Sequence, residues 1–138
     1  MESSKRMDDT HIDAAFEIGS WDEAPFDEAV GVAKLTRATV TKTYSGDIEV
    51  TSTTEWLMAY QPDKTATFVG LERIRGTIGG HHGSIVLQHI GTFHDGAATG
   101  ELVVISGTDA LNSTTGYGSF KADPAGSITL DLTLGATS

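Results

Sequence analysis

Two groups of residues in this sequence could carry chemistry: the adjacent histidines of "GGHHG", residues 79–83, and the pair Glu72 and His89. Histidine supplies metal ligands and proton carriers near neutral pH, but neighbouring strand residues point to opposite faces, so His81 and His82 cannot converge on one ion by themselves. His94 comes from the far end of a strand, and the sequence holds no histidine pair two residues apart and no His-x-x-Glu-His run, so no metal site is expected. The glycines on either side instead predict a hairpin tip with His81 and His82 in solvent.

The second group emerges from strand register. Asp95-Gly96 is a two-residue turn signal, which sets Phe93 opposite Ala98, Gly91 opposite Gly100, His89 opposite Leu102 and Leu87 opposite Val104, all on an inward face. Taking His81-His82 as a second two-residue turn puts Ile78 opposite Ile85, Gly76 opposite Leu87, Ile74 opposite His89 and Glu72 opposite Gly91, and the inward face continues. His89 then lies on the diagonal from Glu72. A buried carboxylate beside a buried imidazole could supply an acid and a base; the plainer reading is that the two satisfy each other in the core.

For the strand before, a three-residue turn at Pro62-Asp63-Lys64 puts Met58 opposite Phe68, Trp56 opposite Gly70 and Thr54 opposite Glu72. A four-residue turn would place Glu55 and Leu57 inside. The first is preferred, because Trp56 and Met58 are costlier to expose. Trp56, Met58, Phe68, Phe93 and Leu102 are then the candidate ligand-binding residues of the interior.

These residues need a scaffold of strands. Sixteen glycines and abundant threonine, valine and isoleucine favour strands and turns. Strands are expected at 35–46, 47–60, 66–79, 84–94, 97–106 and 116–122, with a first around Phe16–Ile18 and a last over Ile128–Leu134. Eight antiparallel strands in one domain suggest an all-β, closed eight-stranded antiparallel β-barrel, since closure removes exposed edges. Residues 21–33, interrupted by Pro25 and Gly31, read as a crossing loop or a short turn of helix. The expected organisation is a flexible acidic tail over 1–11 and one domain over 12–138.

Nine of the nineteen acidic residues lie in the first 28 positions, and the net charge is −10. That charge opposes binding to nucleic acid or to anionic membranes, and no run approaches a membrane span. Without cysteine there is no disulfide or thiolate chemistry. No phosphate-binding loop or G-x-S-x-G elbow occurs, so no cofactor is expected. The polar start, Met1 to Asp9, favours a cytoplasmic location. Outward-facing Val86, Ile90, Val103 and Ile105, with Arg73, Arg75, Gln88 and Glu101 beside them, predict a homo-oligomer, with a dimer favoured.

The runs "LTRATVTKTYSGDIEVTSTTEWLMAY", "FVGLERIRGTIGGHHGSIVLQHIGTF" and "DGAATGELVV", with "FEIGSWDEAPF" before them, resemble the bacterial family known as domain of unknown function 3224. "GGHHG" and Lys64 depart from its usual turns. The resemblance implies a barrel like that of allene oxide cyclase, with a central cavity, and no established reaction. The leading expectation is a small barrel binding an apolar small molecule in its lumen. The alternatives are an isomerase or cyclase acting on a flexible apolar substrate, and a structural protein with a filled barrel.

Overall fold

The computed structural model describes residues 9–123 and 125–135. Eight strands follow one another: β1 (Asp9–Asp27), β2 (Lys34–Gly46), β3 (Thr51–Tyr60), β4 (Ala66–Ile78), β5 (His81–His94), β6 (Ala97–Asp109), β7 (Thr115–Asp123) and β8 (Ala125–Thr133). Each pairs antiparallel with the next, and β8 returns to β1, so the sheet closes into the expected barrel. No helix among the described residues is long and apolar enough to cross a membrane. The expected tail over 1–11 falls partly on residues 1–8, outside the described residues; Asp9 to His11 pair with Asp131 to Thr133.

Strict alternation drives this closure. On β2, Thr36, Ala38, Val40, Lys42 and Tyr44 are buried, and on β3 so are Ser52, Thr54, Trp56 and Met58. The register of β3 on β4 is Thr54 to Glu72, Trp56 to Gly70 and Met58 to Phe68, as the three-residue turn predicts. Lys64 takes the left-handed backbone there, at φ 71°. The register of β5 on β6 also follows expectation, with His89 opposite Leu102 and Phe93 opposite Ala98.

Two expectations are corrected. The hairpin between β4 and β5 turns on Gly79-Gly80, with φ of 57° and 85°, and not on His81-His82, which open β5. Ile78 pairs with His81, Ile74 with Ile85, Glu72 with Leu87 and Gly70 with His89. A tight turn with two left-handed residues costs glycine nothing and histidine a clash, so it settles on the glycines. The resulting slip of four residues is even, which leaves the inward set unchanged. His82 is exposed and His81 half-buried.

The second correction concerns residues 21–33. β1 runs through Trp21 and Pro25 to Asp27, leaving only residues 28–33 as loop. A bulge between Ile18 and Ser20 shifts the register against β2. It flips the facing parity, so Trp21 and Glu23 point to the side that Phe16 and Ile18 occupied. Pro25 is tolerated because β1 pairs with β8 only as far as Phe16, so its missing N–H falls on an unpaired edge.

Aromatic rings from several strands meet across the axis. Trp56 lies 4.5 Å from Phe68 and 5.9 Å from Phe120 between ring centroids, and His89 lies 5.2 Å from Phe120. Wall glycines make room for them: a Cβ on Gly70, Gly91 or Gly100 would come within 2.5 Å of Trp56, Phe68 or Phe120, respectively. Each such ring removes about 150–250 Å² from water, a gross gain of roughly 4–6 kcal/mol. Ile48, bridged to Ile78, and Leu111 bury their side chains at one end of the barrel.

Candidate functional site

Two carboxylates face inward, at different depths. Glu72, on β4, is fully buried and accepts four hydrogen bonds. Lys42 Nζ at 3.3 Å and His89 Nε2 at 2.9 Å donate to Oε1, and Tyr44 OH and Ser52 Oγ, each at 2.6 Å, donate to Oε2. Trp56 Nε1–H, which can only donate, bonds to His89 Nδ1 at 3.2 Å. His89 therefore carries its proton on Nε2 and gives it to Glu72. The Lys42 ammonium is caged by the rings of Phe16, Phe120 and Trp56, at 4.8, 5.1 and 5.4 Å from their centroids.

The electrostatics follow. Burial would raise the Glu72 pKa, but the Lys42 charge and the bonds from His89 and Ser52 outweigh it and hold the carboxyl far below the usual range. Burial lowers His89 against the pull of Glu72, keeping the imidazole neutral. Burial lowers Lys42 and raises the Tyr44 phenol well above its ordinary value.

The expected pair, Glu72 and His89, is thus brought together. Both carboxylate oxygens hold two donors and both ring nitrogens are engaged, so no open position faces a substrate. Acid–base work there would require one of these bonds to break. Of the residues expected to line a cavity, Trp56, Met58, Phe68 and Leu102 are each no more than 2% exposed and fill the lumen.

Phe93 belongs to a different place. At the end carrying the β3–β4 and β5–β6 turns, a cup of about 690 Å³ is lined by Ile18, Trp21, Tyr60, Phe93, Ala98 and Ala122, with Glu17 and Glu23 in its wall. Trp21 links cup to core, its ring 5.3 Å from Trp56 and 6.3 Å from Phe93. Glu23 is the second inward carboxylate. Trp21 Nε1 donates to its Oε1 at 2.8 Å, and Thr36 Oγ1 and Tyr60 OH donate to Oε2 at 2.6 Å each. Partial burial pushes the Glu23 pKa up, yet these three donors and the Lys34 charge prevail and hold it below its ordinary value.

Sequence reasoning missed Lys42, Tyr44 and Ser52, although each sits at inward parity between residues recognisable as core. It also missed Trp21, Glu23, Thr36 and Tyr60. The available signal for Trp21 and Glu23 was Gly19, where the apolar pattern passes from even to odd positions. The histidines of "GGHHG" join no cluster, and no group of three or more metal-ligating side chains occurs among the described residues.

A family model described as "Protein of unknown function (DUF3224)" matches residues 12–134. The fold is similar to the crystal structure of a protein with unknown function from the DUF3224 family of Shewanella oneidensis MR-1, with a TM-score of 0.75 and 26% identity over 93% of this chain and 99% of that one. No curated protein matches this chain. The likeness to an allene oxide cyclase barrel rests on the sequence resemblance alone.

Proposed function

The chain belongs to the DUF3224 family of proteins of unknown function, and from that premise we propose that it binds an apolar small molecule in the cup at one end of the barrel. One observation carries the proposal. The middle of the lumen is occupied by Trp56, Phe68, Phe120 and the Glu72 cluster, whereas the cup above Trp21 offers about 690 Å³ walled by rings and alanines. Concave sites with an apolar wall and few polar groups are the usual form of small-molecule sites. The cysteine-free, acidic composition fits a cytoplasmic setting as part of this reading.

Native mass spectrometry of protein purified from its own host tests it. A small apolar adduct is expected on the wild type and on Ile74→Val, a buried position toward the opposite end of β4 from the cup. It should be lost from Ala98→Phe, which fills the cup, provided circular dichroism finds that variant folded. An adduct indifferent to Ala98→Phe would overturn the assignment.

A second reading concerns a partner, a further copy of this chain. Leu57, Val69, Leu71, Ile90 and Val103 are each about half exposed on the outer face of β3 to β6, an unusual apolar patch for a monomer. Arg73 and Arg75 beside Glu55 and Glu101 give that face both signs of charge, as a self-complementary two-fold contact requires. A dimer in sedimentation that dissociates on Ile90→Glu is the expected result, and a monomeric wild type would refute it.

A further inference from the structure

Resting on the cup reading, we infer that the occupant carries a protonated amine on its apolar body, with the ammonium seated against Glu23. The three groups that bond Glu23 are all neutral, and among the described residues no ion pair reaches it within 4 Å. The carboxylate keeps its charge without a direct counter-ion, unlike Glu72 with Lys42. Within the protein, Oε2 accepts two bonds and Oε1 one, and Glu23 is exposed, so Oε1 is open to a further donor from solvent or from a ligand.

The surroundings select the sign of a ligand that bonds there. No lysine or arginine lines the cup, so an anionic ligand would meet the Glu23 charge with no cation in the wall to offset it. Trp21, Tyr60 and Phe93 offer ring faces, which attract cations. Lys34 Nζ already stands 5.2 Å from the Tyr60 centroid. A neutral alcohol would donate to the same oxygen but gain none of the charge-assisted strength.

The test uses the full chain labelled with 15N, following the Trp21 indole N–H during titration with n-octylamine hydrochloride, 1-octanol or sodium octanoate at one ionic strength. Octylammonium is expected to move the Trp21 resonance and bind about tenfold tighter than octanol, with octanoate weakest. In Glu23→Gln, octanol affinity should hold within about twofold while the preference for octylammonium disappears. Octanol binding as tightly as octylammonium, or a preference that survives Glu23→Gln, would overturn the inference and leave the cup standing as a neutral-ligand site. Failure of all three compounds to move Trp21 would overturn both.

Discussion

Glu72 and Glu23 are dressed alike and used differently. Each accepts from a tyrosine and from a second hydroxyl, Tyr44 and Ser52 for one, Tyr60 and Thr36 for the other; a tryptophan N–H bonds Glu23 directly and reaches Glu72 only through His89. Glu72 is sealed in the barrel with a lysine and a complete set of donors, whereas Glu23 is exposed at a cup and bonded by neutral partners only. A buried charge is tolerated only when fully matched, so completeness marks Glu72 as part of the structure. Glu23, exposed at a ring-lined cup with only neutral partners, is the carboxylate on which the proposed ligand reading rests.

The sharpest way to break this comparison is Lys42→Met. It leaves Glu72 buried without its counter-charge and should cost about 3–5 kcal/mol in denaturant unfolding, as removal of one partner of a buried pair does. Lys42→Met with Glu72→Gln should recover a large part of that loss. A single variant as stable as the wild type would mean that Glu72 reaches water and is not sealed.

Next comes a matched pair. Tyr44→Phe removes a buried hydroxyl bonded to a charged acceptor and is expected to destabilise by about 1.5–3 kcal/mol. Tyr60→Phe removes the equivalent bond at the cup, where water takes its place, and should cost less than about 1 kcal/mol. Equal losses, measured by chemical denaturation, would erase the distinction between the two sites.

How far the sequence foretold the two sites differs for a physical reason. Glu72 and His89 could be found because both lie on strands joined by short turns, where parity alone decides which way a side chain points. The slip of the turn from His81-His82 to Gly79-Gly80 did no harm, being even. Lys42 could have been found by the same parity, between Val40 and Tyr44; a lysine on an inward face is itself the signal of a buried pair. Glu23 was hidden, because a bulge beside Gly19 reverses parity and Pro25 masks the strand beyond. Its partners Thr36 and Tyr60 come from two other strands, a convergence that only the closed barrel reveals.

The core also imposes a pH dependence. His89 has a folded pKa below its ordinary 6.5, so between the two values the unfolded chain binds more protons and stability falls as pH drops below about 6.5. Glu72, likewise depressed from 4.5, contributes stability above its unfolded pKa that is lost as pH falls further, toward its folded value. Unfolding free energies measured from pH 7.5 to 4 should decline with acid, and His89→Gln should flatten the decline that begins below about 6.5. An unchanged slope in that variant would show that His89 is not the group taking up the proton.

The smallest effect is expected from the counterpart of Lys42 at the cup. Lys34 stands over the half-buried Tyr60 ring and lowers Glu23 by its charge alone. Lys34→Gln should cost no more than about 0.5–1 kcal/mol, the worth of an exposed cation–π contact, and the Glu23 carboxyl should titrate at a higher pH, followed by its side-chain 13C shift. The lysine that neutralises Glu72 holds the barrel together, while the one near Glu23 only adjusts the charge of the cup. A large loss of stability in Lys34→Gln would mean that Glu23 is neutralised within the protein too, leaving no charge for a cationic ligand to meet.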